Sequence, residues 1–397
     1  MAPAARRLTL SGLPHSPTVH VALNLVFLVP GEIGGMETYA RELIPRLVAQ
    51  PDLKVTCLVN EEAAQAGGPW GDIAPMEVVP VRASNRVQWV RGEQQYVPKI
   101  AEKIGATVIH SLASTAPLRG KAARVTTVHD LHYKTAPEAH FGVRGLGMRV
   151  LVPAAIRRSH LVIAVSEATK RDLVEHLGTE LSKIEVVHEA ANSAQRALPI
   201  PERELRERLK LGERQVVLSV SAKRPHKNLE RLLHAVAEIP AAERPVLILP
   251  GYATPHEAEL RELAASLDIT ADVVFLGWVS SADLEGLYAL ATLVAFPSLH
   301  EGFGLPVLEA MARGVPVLTS NRSAMPEVAA GAALLVDPEK TDAISGAMRR
   351  LLADPQLREA QIEKGLARAA QFSWERTAEQ THYCYKRGVG IKQLGMH

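Results

Sequence analysis

Glu301 and Glu309 have seven residues between them in the segment PSLHEGFGLPVLEAMARGVPV, and Gly302, Phe303, Gly304 and Leu305 directly follow the first. On one continuous helix that spacing would set the carboxylates about 80° apart, so a loop leading into a helix is the better reading. Glu301 then lies in the loop and Glu309 early in the helix, where Pro306 suits the first position. Carboxylates so placed accept hydrogen bonds from sugar and ribose hydroxyls, and the backbone around the glycines offers N–H groups to an anion. The alternative is that both glutamates only complement the helix dipole. A second cluster, Lys223, Arg224, His226 and Lys227 in SVSAKRPHKNLERLL, crowds cations between a strand end and a helix that Asn228 is suited to cap. Such a cluster fits a bound polyphosphate; the plain alternative is a solvated basic turn.

The first half of the chain carries two further candidates. Gly34 and Gly35 lie between an apolar run ending at Val29-Pro30 and the amphipathic stretch METYARELIPRLV. Paired glycines allow a sharp turn and close backbone approach, and the following helix start favours an anion such as a diphosphate. An ordinary strand-to-helix turn would read the same way. The spacing is GxxGG, so the GxGxxG dinucleotide fingerprint is absent at this turn. His129 closes a strand in TTVHDLHY, where an imidazole could donate to a phosphate or sugar hydroxyl, or be satisfied within the fold. Reading His129 and His132 as a metal pair lacks a clear third ligand.

These residues need a scaffold that brings strand ends together. Strands are expected at 21–29, 55–59, 107–110, 124–128, 161–165 and 184–187, and in the second half at 216–219, 246–249, 273–276, 293–295, 315–319 and 333–336. Helices are expected between them at 36–50, 96–104, 167–177, 228–238, 256–267, 281–289, 306–312, 341–353 and 355–371. This alternation predicts an α/β chain with two doubly wound, Rossmann-like domains facing across a cleft. The pattern breaks in ANSAQRALPIPERE, which divides the chain into residues 1–195 and 196–372. Ligands bind outside the carboxyl ends of strands in such sheets.

Composition narrows the function. At 397 residues, with 47% hydrophobic and 22% charged residues, the chain is globular and long enough for two cores. A net charge of +2 gives no reason to expect nucleic acid. Cys57 and Cys384 form no metal-ligand spacing and read as reduced, buried thiols. The N-terminus lacks a long apolar run, so a cytoplasmic location is expected. The segment FGVRGLGMRVLVPAAIRRSH interleaves Arg144, Arg149, Arg157 and Arg158 with apolar residues; it is either a peripheral surface for anionic membrane or an ordinary amphipathic helix.

Nearly the whole chain resembles the retaining glycosyltransferases of the GT-B fold, family 4. The resemblance is carried by GGMETYARELI, VTTVHDLHY, VIAVSEATKRDL, RPHKNLERLL, VVFLGWVSSADLEGLY, PSLHEGFGLPVLEAMARGVPV and PEVAAGAALLVDP. It implies transfer of a hexosyl group from a nucleotide-diphosphate sugar, such as GDP-mannose or UDP-glucose, to a glycan, lipid-linked or small-molecule acceptor. By resemblance, His129, Lys227 and Glu301 are catalytic. Gly34, Gly35, Gly302, Phe303, Gly304, Leu305 and Glu309 bind the donor, with Glu309 on the ribose and Lys227 on the diphosphate. The family's second cation falls near Ala222 here, so Lys223 or Arg224 takes its place. No DxD is present, and the resemblance implies no metal and no cofactor. Phe372-Ser373-Trp374 resembles the start of a terminal helix, residues 373–397, that crosses back to the first domain. A sugar-nucleotide epimerase of similar fold and a non-catalytic sugar-nucleotide-binding protein are the competing readings.

Overall fold

The computed structural model describes residues 19–31, 34–135, 143–191 and 197–395. Thirteen strands in these residues form two sheets in which every pairing is parallel. The first sheet contains β1 Val19–Leu25, β2 Leu53–Val59, β3 Met76–Val78, β4 Val108–Ser111, β5 Ala123–Val128, β6 Leu161–Ala164 and β7 Ile184–Val186. Its order is β3-β2-β1-β4-β5-β6-β7. The second sheet contains β8 Val216–Leu218, β9 Val246–Leu249, β10 Val273–Phe275, β11 Leu293–Phe296, β12 Val317–Ser320 and β13 Leu334–Val336, in the order β10-β9-β8-β11-β12-β13.

Both orders reverse direction at one place, between β1 and β4 in the first sheet and between β8 and β11 in the second. A crevice opens at such a switch point because the flanking connections leave toward opposite faces. The glycine turn follows β1, the cation cluster follows β8 and the Glu301 loop follows β11. The fold therefore puts three of the sequence candidates at its two crevices. Helices cover both faces of the sheets, so the central strands are buried on both sides: all seven residues of β1, VHVALNL, are buried, and its two polar side chains, His20 and Asn24, are hydrogen-bonded within the fold.

Helix Trp374–Gln393 completes the first domain. Trp374, Ala378, Cys384 and Tyr385 are buried in one cluster with Val21, Leu43, Val125 and Leu161. Tyr385 Oη lies 2.7 Å from His110 Nδ1, and Arg46 Nε donates to Glu375 at 2.7 Å. Gly388 faces β5, where an added Cβ would stand 3.2 Å from Val125 Cγ2.

Three local expectations need correction. The first strand stops at Leu25, four residues before the expected Val29. Asn24 Oδ1 takes the Val26 N–H, and Asn60 Nδ2 donates to the Val26 and Leu28 carbonyls, which pulls the chain out of the sheet. The edge strand β3 was not expected; it is three residues long and mostly solvent-facing, too short for an alternation to register. Asn228 does not cap its helix with its side chain. Its backbone is left-handed at φ 60°, and its buried amide donates to the carbonyls of Pro297 and Pro338, tying two loops together.

Candidate active site

Lys227 and Glu301 meet. Lys227 ends a short 3-10 turn, Pro225–Lys227, beyond β8, and Glu301 lies in the loop beyond β11. Lys227 Nζ is 2.6 Å from Glu301 Oε1 and 5.0 Å from the centre of the Phe296 ring. Both side chains are largely buried, at 16% and 9% exposure, so the pair is shielded from solvent and salt. The Glu301 backbone is fixed from a third element: its N–H donates to Ser323 Oγ at 3.1 Å, and that hydroxyl donates back to the Glu301 carbonyl.

Glu309 lies one turn into helix Leu305–Met311. Tyr288 Oη donates to its Oε2 at 3.2 Å, and Arg313 donates to its carbonyl while pairing with Glu285. The loop–helix reading of the two glutamates therefore holds in the geometry. Gly304 precedes the helix with φ 109°, and an added Cβ there would stand 2.3 Å from Met325 Cε. Phe303 is buried against Phe372 and His188, with ring centres 5.8 and 6.0 Å away.

Gly302 is a point of close approach between the domains. A Cβ at this position would fall 1.6 Å from the His129 carbonyl oxygen and 2.7 Å from its carbon. Only a residue without a side chain allows this contact. The Gly302 carbonyl accepts from Ser166 Oγ at 2.5 Å and Thr169 Oγ1 at 3.1 Å, both at the start of helix Glu167–Leu177 in the first domain. Nearby, Leu305 Cδ1 would lie 3.8 Å from a Cβ on Gly35, so the glycine turn also faces the Glu301 loop. Gly34 has φ 57° and ψ −120°, a backbone that favours glycine. Glu32 and Ile33 of that turn lie outside the described residues. The Glu37 carboxylate accepts the Gly31 N–H at 2.7 Å, so one donor of the turn is already engaged.

The His129 ring is engaged within the fold, the second of the two readings that its place at a strand end allows. Its Nδ1 is 2.9 Å from Glu189 Oε1 and its Nε2 is 2.8 Å from the Leu112 carbonyl. A carbonyl can only accept and a carboxylate accepts when ionised, so these two partners favour the charged ring, which donates from both nitrogens. Burial opposes that charge, but the Glu189 contact and the Leu112 carbonyl outweigh it and hold the pKa above its ordinary value. What His129 turns toward the second domain is its carbonyl. Its ring packs edge-on against Tyr39 at 5.0 Å. His132 does not join His129; it lies beside His226 and His300, with ring centres 4.6 and 5.3 Å away.

Lys223 and Arg224, the two candidates for the second cation, are placed differently. Its side chain is fully buried and its amine donates to the carbonyls of Gly251 and Leu276, with Glu257 at 4.0 Å. Desolvation pulls its pKa down to about 8. Arg224 is the partly exposed cation of the pair, with its guanidinium 3.1 Å from Tyr252 Oη and over the Tyr252 ring.

Glu189, Ser323, Tyr288 and Glu327 were not expected at the site. Glu189 follows β7 by three residues, and the strand-end argument used for His129 applies equally to it. Trp278 follows β10 and is 67% exposed, an unusual position for an indole. Among the described residues, one group of side chains has the spacing for a metal ion: Glu230, His256 and Glu259. None of these is hydrogen-bonded to Lys227, Glu301 or His129. Of the expected basic membrane surface, Arg149, Arg157 and Arg158 are exposed on helix Val143–Arg158, and the Arg144 side chain is outside the described residues. Among the described residues, no helix is long and apolar enough to cross a membrane.

Residues 33–195 match the family model described as Glycosyltransferase Family 4, and residues 201–368 match that of Glycosyl transferases group 1. O-antigen chain mannosyltransferase B of Escherichia coli is 34% identical over 270 residues, covering 66% of this chain and 70% of that protein. This chain belongs to the group 1, family 4 glycosyltransferases. The serotype-specific mannosyltransferase WbdA of Escherichia coli is 30% identical over 237 residues, or 57% of this glycosyltransferase, which spans only 28% of WbdA. Sucrose-phosphate synthase from Thermosynechococcus elongatus superposes with a TM-score of 0.76 at 22% identity, covering 93% of this chain and 98% of that one. The two-domain GT-B fold of this nucleotide-sugar-dependent glycosyltransferase is thereby established.

Proposed function

We propose that the enzyme transfers a hexosyl group, with mannosyl favoured, from a nucleotide-diphosphate sugar to a glycan or lipid-linked acceptor, with retention and without a metal. The observation that carries this reading is the buried Lys227–Glu301 pair standing where the Glu301 loop meets the first domain. The mannosyl preference rests on the activity in the names of the two Escherichia coli relatives.

Cleavage of the anomeric C–O bond sends its electron pair to the diphosphate oxygen and leaves positive character on the sugar ring. Lys227 and Arg224 supply fixed positive charge for the first, in a site shielded from water. Glu301, with one oxygen on Lys227, keeps its second oxygen to accept a sugar hydroxyl. Glu309, oriented by Tyr288, accepts from the ribose. The acceptor oxygen forms the new bond on the face the diphosphate leaves, and its proton passes to the departing phosphate oxygen. The His129 imidazolium adds positive potential from the first domain, and closure there excludes the water that would hydrolyse the donor.

Incubation with GDP-mannose and UDP-glucose, with and without EDTA, tests this. Retention requires the product's anomeric configuration to match the donor's, read by NMR. An inverted product, or activity abolished by EDTA and restored by Mg2+, refutes the corresponding part.

A further inference from the structure

Glu327 belongs to helix Met325–Ala329 in the second domain, yet its carboxylate is engaged by the first. Oε1 accepts the Glu167 N–H at 3.0 Å and Oε2 the Ala168 N–H at 3.2 Å. These are the first two N–H groups of helix Glu167–Leu177, which have no partner within their own helix. His188 Nε2 is 2.7 Å from the same Oε1. Burial works against ionisation of Glu327, but His188 and the two N–H groups overcome it and hold the carboxyl below its usual range.

The same helix start holds the donor loop. Ser166 and Thr169 donate to the Gly302 carbonyl, one residue from Glu301. His188 packs its ring against Phe303, on the other side of Gly302, and against Phe372, where the chain turns toward its last helix. Its carbonyl accepts from Thr377 of that helix at 2.7 Å. One turn of the first domain thus grips the second at two points, a carboxylate and the loop that carries Glu301.

We propose that Glu327, with His188, is a positioning residue for sugar transfer: its carboxylate on the first turn of helix Glu167–Leu177 holds the domains closed and sets Gly302 and Glu301 against His129. This rests on the transfer reaction proposed above. Lys227, Arg224 and Glu309 all belong to the second domain, so binding of the nucleotide alone depends little on the bridge. Assembly of the complete site does.

Glu327→Gln keeps the shape and removes the charge, leaving an amide N–H facing a backbone N–H. An anion at a partly buried helix N-terminus is worth about a tenfold factor in such an equilibrium. The expected result is kcat about tenfold lower, with the Kd for GDP or UDP changed less than about twofold. A closure readout independent of chemistry uses spin labels at Lys54→Cys and Glu363→Cys, both exposed, while the native Cys57 and Cys384 are buried. Pulsed EPR of the Glu327→Gln protein should show a longer interdomain distance. Glu327→Asp, which keeps the charge, should recover part of both. Unchanged distance with unchanged kcat overturns the proposal. So does a lowered Tm with kcat and nucleotide affinity lost together, which marks a merely structural residue. If the wild type transfers no sugar from any donor, the activity reading fails while the distance measurement still judges the bridge.

Discussion

Gly302→Ala puts a methyl group where the domains touch. The added carbon would stand 1.6 Å from the His129 carbonyl oxygen, where ordinary contact begins at 3.4 Å. About 1.8 Å must therefore be found, and the opposing atom is backbone, so no rotamer change can supply it. Either the loop retreats and carries Glu301 off Lys227, or the domains part and break the Ser166 and Thr169 hydrogen bonds. Misplacing reacting groups by about 1 Å costs on the order of 100-fold, so kcat should fall by about that factor. The clash lies at the interface rather than beneath either sheet, and each lost hydrogen bond contributes only about 1 kcal/mol. Thermal unfolding should move by no more than a few degrees. Initial rates of nucleotide diphosphate release with saturating donor and acceptor measure the effect, with differential scanning fluorimetry alongside. A Gly302→Ala enzyme with wild-type kcat would refute the argument that this contact is used in turnover.

Four further outcomes are expected. Lys227→Ala should lower kcat by 100-fold or more, since removing one preorganised charge from a leaving group costs about 3–4 kcal/mol, and Glu309→Ala should chiefly raise donor KM; steady-state kinetics separate the two. Arg224→Ala should raise donor KM, whereas Lys223→Met should leave KM alone and lower Tm, because it leaves the Gly251 and Leu276 carbonyls without a donor; the opposite pattern would restore Lys223 to the donor site. Glu93 is buried, and desolvation raises its pKa to about 7 despite bonds from Thr115, Asn24 and Gln94. The folded state thus binds a proton that the unfolded state has released above about 4.5, so stability falls as pH rises through that window and levels off above about 7; a Tm profile should show this fall, and Glu93→Gln should flatten it. Trp374→Ala should destabilise the first domain by about 3–5 kcal/mol in urea titration, given its full burial.

The scaffold was legible because buried parallel strands and amphipathic helices differ in period and length. The expected helices at 167–177 and 341–353 match to the residue. The glutamate pair and Lys227 were legible because glycines and a strand end fixed where their side chains must point. What escaped is set by partners distant in sequence. Lys223 and Arg224 are neighbours of the same charge, and nothing local shows which will find two carbonyls waiting at Gly251 and Leu276. His129 looked available because Glu189, sixty residues on, leaves no trace in its surroundings. Glu327 stood in a recognised segment, but its contacts depend on how the two domains meet.

The helix that begins at Trp374 has a consequence for how the molecule is made. During synthesis the six strands of the second sheet leave the ribosome before the last wall of the first domain exists. Until then, the face of the first sheet around Val21, Val125 and Leu161 awaits the Trp374 and Tyr385 rings. Maturation of the first domain is therefore coupled to completion of the second, and the chain passes between them twice.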